Sequence, residues 1–151
     1  MSLSIVVPCY NEEAVLPETA KRLGALLADL IARGKVAPDS HVVFVDDGSR
    51  DRTWPIIVEL AAGSPCFRGL KLSRNRGHQH ALLAGLLHTD AAITISVDAD
   101  LQDDLAAIEA MLDAHTRGAD IVYGVRQRRD RDSFFKRFSA EGYYWLLARF
   151  G

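Results

Sequence analysis

Short apolar runs alternate with longer segments of helical period along the 151 residues. The runs are 3–7, 42–45, 67–72, 93–97 and 121–125. Each ends in polar residues or turn formers, and runs this short with apolar residues on both faces predict buried strands of a parallel sheet covered by helices. The third run is the weakest, because Arg68 and Gly69 interrupt it. Between the first two runs, Leu16, Leu23, Leu26, Leu27, Leu30 and Ile31 form one apolar face. Lys21, Arg22, Asp29 and Arg33 surround that face, which predicts an amphipathic helix beginning near Pro17. Similar periodicity predicts helices over 54–60, 81–87 and 105–112. The alternation places the chain in the α/β class, a mostly parallel sheet with helices on both faces.

Composition leaves that picture in place and narrows the partners. Apolar residues make up 48% and charged residues 25%, a globular balance that excludes a fibre or a disordered chain. The formal charge of −2 gives no global basic field, so nucleic acid is not an expected partner. Residues 1–7 lack the basic start of a signal peptide, and no run reaches the roughly 18 apolar residues of a membrane span. The two cysteines, Cys9 and Cys66, are too few for a disulfide framework or a zinc site and are expected to be buried thiols. Charge is unevenly spread: from Arg117 onward there are eight basic and four acidic residues, leaving −6 for the rest. The basic stretch leads into Phe134, Phe135, Phe138, Tyr143, Tyr144 and Trp145. This segment is either a core helix or one that lies on a membrane surface. The expected division is a core over 1–133 and an amphipathic segment over 134–151. The chain stops inside that segment without a cap, which predicts a truncated piece of a longer polypeptide.

Candidate chemistry gathers where the predicted strands end, the edge at which open parallel sheets bind ligands. The first strand delivers Pro8, Tyr10 and Glu12, the second Asp46-Asp47-Gly48-Ser49, the fourth Asp98, Asp100 and Gln102, the fifth Arg126. Residues i and i+2 of an extended segment point the same way, so Asp98 and Asp100 can approach one ion. Oxygen ligands of this kind suit Mg²⁺ or Mn²⁺; the plainer alternative is a solvated loop with spare acids. Asp47-Gly48-Ser49 has turn chemistry, and Ser49 or Asp51 could cap the next helix. Asp47 could also accept a hydrogen bond from a pyrimidine imide, and Tyr10 offers a flat face for stacking. No Gly-x-Gly-x-x-Gly or Walker loop follows the first strand, which disfavours dinucleotides and P-loop nucleotides. His78 and His80 lie two apart in the Arg74-Asn75-Arg76-Gly77-His78-Gln79-His80 connection, a spacing that does not align on a helix face, and are read as solvent-facing or loop-packing. Arg126, Arg128 and Arg129 are either a solvated face or contacts to phosphate.

Taken together, Ser4-Ile-Val-Val-Pro-Cys-Tyr-Asn-Glu-Glu13, Val45-Asp-Asp-Gly-Ser-Arg-Asp-Arg-Thr53, Arg74-Asn75 to Ala81-Leu82 and Asp98-Ala-Asp-Leu-Gln-Asp103 resemble the family 2 inverting glycosyltransferases of GT-A fold, a Rossmann-like nucleotide-diphospho-sugar transferase architecture. Val122-Tyr-Gly-Val-Arg126, Arg129, Ser133, Lys136-Arg137 and Tyr143-Tyr144 are similar to the polyprenyl-phosphate branch, which includes dolichyl-phosphate mannose synthases and bactoprenol glucosyltransferases. The resemblance runs from Ser4 to about Leu147. It implies that Pro8, Tyr10 and Glu12 border the nucleoside and that Asp47 reads the base. It also implies that Asp100 is the principal metal ligand, with Asp98 beside the ribose or a metal-bound water. Gln102 would face the diphosphate, and Arg126 the donor or acceptor phosphate. Asp104 departs from the proline common in relatives, a change expected to alter a helix start more than the chemistry.

The implied reaction is inverting, metal-dependent transfer of a sugar from a nucleoside diphosphate sugar to polyprenyl phosphate, with UDP favoured over GDP. The resemblance also implies a longer catalytic domain in relatives, many of which continue into transmembrane helices. The segment from Phe134 is similar to their juxtamembrane helix. The full-length protein is thus expected at the cytoplasmic face of the membrane, and the fragment is expected to be soluble, with a sheet edge that could pair two copies. Two alternatives stand beside this: a family 2 transferase acting on a soluble saccharide, lipid head group or protein, and a donor-binding module without activity of its own.

Overall fold

In a computed structural model, residues 1–100 and 105–124 are described. Four strands, β1 (Leu3–Cys9), β2 (His41–Asp46), β3 (Phe67–Lys71) and β4 (Ile93–Ser96), form one parallel sheet in the order β3-β2-β1-β4. Helices α1 (Leu16–Ala32), α2 (Thr53–Gly63), α3 (His78–His88) and α4 (Ala106–Thr116) alternate with them. The α/β expectation holds for these elements.

Handedness decides which face each helix takes. The chain steps from β1 to β2 to β3 in one direction, then returns past both to β4. Right-handed crossovers therefore put α1 and α2 on one face and α3 on the other. Side-chain parity follows. Leu3, Ile5 and Val7 of β1 and Val42 and Phe44 of β2 pack in one core with Leu16, Leu23, Leu27 and Leu30 of α1, Ile57 of α2 and Ile108 and Leu112 of α4. Val6, Val43 and Val45 face the other way, onto Ala81 of α3. All seven residues of β1 and all six of β2 are buried, the signature of a strand covered on both faces.

Pro8 sits in the central strand β1, where a missing N–H would normally cost a rung. A residue in a parallel ladder directs its amide and carbonyl to the same neighbour, and Val6 uses its carbonyl on Val97 of the β4 side. Pro8 therefore points to that side as well. Pairing with β4 stops at Val6 and Ser96, so no donor is missed.

The edge strand β3 is short and carries Arg68 and Lys71, both exposed, which keeps a bare edge from pairing freely. Lys71 also lies over the Trp54 ring, 5.2 Å from its centroid. At the other side, Arg33 forks onto Glu109 at 2.7 and 2.9 Å, and Lys35 bonds Glu109 and Asp113 at 2.8 Å. These bonds to Arg33 and Lys35 hold the Glu109 carboxyl down at about 2 and tie α4 to the end of α1.

Three expectations need correction. The described part of the fifth predicted strand, 121–124, is not a strand. No ladder bond reaches it among the described residues, and Ile121 and Tyr123 are 73% and 82% exposed. A run of apolar residues becomes a strand only with a partner edge, and periodicity carries no information about that. The third helix starts at His78, three residues before the apolar run, because Gly77 accepts the amides of His80 and Ala81 and begins the helix from a glycine outside the pattern. Cys66 is only half-buried, beside Ser64, while Cys9 is buried as expected. Residues 1–113 form one compact unit, and the chain from Ala114 belongs to a second. The predicted segment 134–151 lies outside the described residues. No helix among the described residues is long and apolar enough to cross a membrane.

Gly85 marks where α3 meets the sheet. A Cβ there would lie 2.4 Å from Val6 Cγ1 and 2.8 Å from Val45 Cγ2. Gly85→Val is expected to lower stability by about 1–3 kcal/mol, the cost of overpacking a filled core. Urea denaturation measures it, and an unchanged midpoint would show that α3 is not seated on Val6 and Val45.

Candidate active site

Past the strand ends the ladder stops, and backbone amides there need other acceptors. Side chains of the two neighbouring loops supply them reciprocally. Asn11 N–H donates to Ser49 Oγ at 3.0 Å, Glu12 N–H to Thr53 Oγ1 at 2.8 Å and Glu13 N–H to Asp51 Oδ2 at 3.1 Å. In return Arg50 N–H donates to Asn11 Oδ1 and Arg52 N–H to Glu13 Oε2, both at 2.9 Å. Asn11 takes a φ of 56°, a left-handed conformation that asparagine tolerates better than most residues. Asp51 Oδ1 also accepts Thr53 N–H at 2.9 Å, so this acid does serve the start of α2, whereas Ser49 serves the β1 loop instead.

Asp47 ties a third loop to these two. It is 3% exposed, and its oxygens accept Arg76 N–H at 2.7 Å and Gly77 N–H at 2.8 Å. Each carboxylate oxygen has two lone-pair sites, so acceptor capacity remains for a ligand. The approach is close enough to require glycine at position 48, where φ is 69° and a Cβ would stand 2.5 Å from the Arg74 carbonyl carbon and the Asn75 nitrogen.

The three loops enclose a cleft of about 190 Å³. Pro8, Tyr10, Glu12 and Asp47 all line it, so the structure brings together the four residues singled out for a nucleoside. Asn75, Gly77 and His78 line it too, and sequence reasoning did not count them as site residues. The Arg-Asn-Arg-Gly stretch was a visible signal, but its placement depends on the long-range bonds from Asp47. His78 is exposed as expected, and its Nε2 stands 3.8 Å from Asp98 Oδ1 at the rim.

Asp98 and Asp100 follow β4 beside this cleft. Burial alternates from Ile95 to Asp100: Ile95, Val97 and Ala99 are buried, while Ser96, Asp98 and Asp100 are exposed. Both carboxylates are exposed, but the backbone turns at Ala99 and Asp100, so the i, i+2 geometry of a strand does not carry through to Asp100. Among the described residues no cluster of three or more metal-ligating side chains occurs. The donor set fits a hard divalent cation that takes two carboxylates here and its other oxygens from a ligand and water. Burial, with Asp100 and Asp51 nearby, pushes the Glu12 carboxyl above its ordinary range, so negative charge is already disfavoured at this edge. Burial pushes the Cys9 thiol up as well, which leaves it inert as a nucleophile. Gln102 and Arg126 lie outside the described residues.

The family profile described as Glycosyl transferase family 2 matches residues 4–150. An uncharacterized glycosyltransferase of Bacillus subtilis, YkoT, is 48% identical over 99% of this chain and 45% of its own length. The bactoprenol glucosyl transferase of Shigella phage SfX is 37% identical over 97% of this chain and 46% of its own. The chain thus spans about half the length of the curated relatives it matches. Among solved structures, Pyrobaculum calidifontis mannosyltransferase PcManGT in complex with GDP-Man and Mn²⁺ aligns with a TM-score of 0.58 at 26% identity, over 85% of this chain and 36% of that one. Staphylococcus aureus TarS 1-349 in complex with UDP aligns at 0.56 and 26%, over 90% and 40%.

Asp47→Asn is expected to release the Arg76–Gly77 loop, because an amide nitrogen would face a backbone donor. Amide exchange at Arg76 and Gly77 measures this. Stability should fall by about 1–3 kcal/mol, the range for a buried donor left without its acceptor. Unchanged protection at both amides would contradict the anchoring role.

Proposed function

The chain belongs to glycosyl transferase family 2, and from that premise we propose that the protein transfers a sugar from a nucleoside diphosphate sugar to polyprenyl phosphate, inverting the anomeric centre. The observation that carries the reading is the convergence of Pro8, Tyr10, Glu12 and Asp47 on one cleft, with the Asp98/Asp100 pair at its rim. The phage glucosyl transferase, named for its bactoprenol acceptor, supports the lipid phosphate. Neighbouring structures hold both UDP and GDP-Man, and the reading takes UDP on the resemblance to the glucosyl branch.

The residues divide the work as follows. Tyr10, 39% exposed at the cleft mouth, stacks on the base. Asp47 accepts the imide N–H with the lone pairs not used on Arg76 and Gly77. Asp98 and Asp100 would hold Mg²⁺ or Mn²⁺, which when bound supplies positive charge against the leaving diphosphate. The resemblance, not the structure, gives Gln102 to the diphosphate and Arg126 to charge-assisted hydrogen bonding with a phosphate. An oxygen of the acceptor phosphate forms the new bond to the anomeric carbon as the bond to the nucleoside diphosphate breaks on the opposite face. The acceptor is anionic near neutral pH, so no strong general base is required, and His78 is left without a proton-transfer role. A lipid acceptor places the full-length protein at the cytoplasmic face of a membrane, with the basic, aromatic segment 134–151 against the bilayer.

The test is transfer of labelled glucose from UDP-glucose to polyprenyl phosphate by the full-length protein in membranes. Lipid-linked glucose is expected, and Asp100→Ala should lower the rate by on the order of 100-fold or more. Glucose appearing only on soluble saccharides, or a rate unchanged by Asp100→Ala, would contradict the proposal.

A further inference from the structure

The acid pair is exposed and stands past the end of β4, where the backbone leaves the strand and turns at Ala99 and Asp100. Two bonds hold it there. Val97 N–H donates to Val6 O at 3.0 Å, which continues the ladder one residue beyond Ser96. Beyond that, Thr19 Oγ1 donates to Ala99 O at 2.6 Å, from the second turn of α1. Ala99 is the residue between the two acids. Thr19 is 2% exposed and Ala99 4%, so this bond is shielded from water.

Thr19 has a choice of acceptor. Its hydroxyl also lies 3.1 Å from Val15 O, the i−4 carbonyl of its own helix. A hydroxyl carries one hydrogen. Val15 O already accepts the Thr19 amide at 3.0 Å, whereas Ala99 O lies 0.5 Å closer to the hydroxyl than Val15 O does. The proton therefore goes to Ala99.

We propose that Thr19 is a positioning residue: its hydroxyl fixes the peptide between Asp98 and Asp100 so that both carboxylates present to one cation. The proposal rests on the reading of that pair as a divalent cation site and deepens it. A carbonyl without this donor would turn toward water, and rotation of the 99–100 peptide would redirect Asp100. Thr19 does not line the cleft, and its hydroxyl reaches the acid pair through the Ala99 carbonyl.

Calorimetric titration of Mn²⁺ into the full chain with UDP present tests this on wild type, Thr19→Val and Thr19→Ser, with thermal midpoints measured alongside. Valine keeps the shape and removes the donor; serine keeps the donor and removes a methyl. Thr19→Val should weaken Mn²⁺ binding about tenfold or more, the usual size of effect for an outer-shell hydrogen bond. Thr19→Ser should retain wild-type affinity even where its midpoint falls. A lowered midpoint with unchanged Mn²⁺ affinity in Thr19→Val would make the residue merely structural and overturn the proposal. If Thr19→Val does not fold, Thr19→Ala takes its place: weakened Mn²⁺ binding beside retained binding in Thr19→Ser supports the hydroxyl, and wild-type affinity in Thr19→Ala overturns it. Wild type that binds no Mn²⁺ would overturn the cation site and this inference together, an outcome distinct from loss of the Thr19 effect alone.

Discussion

Everything at the carboxyl edge depends on backbone amides that outrun the sheet. Asn11, Glu12, Glu13, Ser49, Arg50 and Arg52 have no ladder partner, and each finds a side-chain oxygen on Asn11, Glu13, Asp46, Ser49, Asp51 or Thr53. A satisfied hydrogen bond is worth about 0.5–1.5 kcal/mol net. Four of these six are exposed and two part-buried, so each bond alone is modest and the lacing acts through their number. Its product is geometry: two loops are locked to each other, and Asp47 locks the third to them.

That rigidity explains how acidic residues can be concentrated at one edge. Glu12, Asp46, Asp47, Asp51, Asp98 and Asp100 lie on neighbouring loops, an arrangement that repels itself. The hydrogen bonds divert part of the charge: Asp47 and Asp51 accept from backbone amides, and against partial desolvation the Thr53 side chain, with the Thr53 and Glu13 amides, holds the Asp51 carboxyl below its ordinary range. Glu12 is left on the other side of the balance, pushed upward by burial, Asp100 and Asp51. A cation beside Asp98 and Asp100 would relieve that repulsion directly.

Much of this was legible in the residues. Strands β1 and β2 and helix α1 read clearly because burial on two faces, or on one helical face, leaves a continuous pattern. The acid pair was visible as spacing, but the turn at Ala99 and Asp100 was not, because a residue pattern carries no sign of where a strand gives way to a turn. Strand pairing did not read: residues 121–124 have a strand's composition and no ladder partner among the described residues. Asn75 and His78 were passed over, since only the bonds from Asp47 to Arg76 and Gly77 bring their loop to the cleft. Thr19 gave no signal at all. In sequence it is one more residue of an amphipathic helix, and its partner Ala99 is eighty positions away.

The central claim is that this edge binds a nucleoside diphosphate through a cation held by Asp98 and Asp100. Calorimetric titration of UDP, with GDP for comparison, in the presence and absence of Mn²⁺ tests it most directly. The account requires UDP to bind with Mn²⁺ and to bind far more weakly without it. UDP binding of equal strength with and without Mn²⁺, or none by the folded full-length protein, would contradict it.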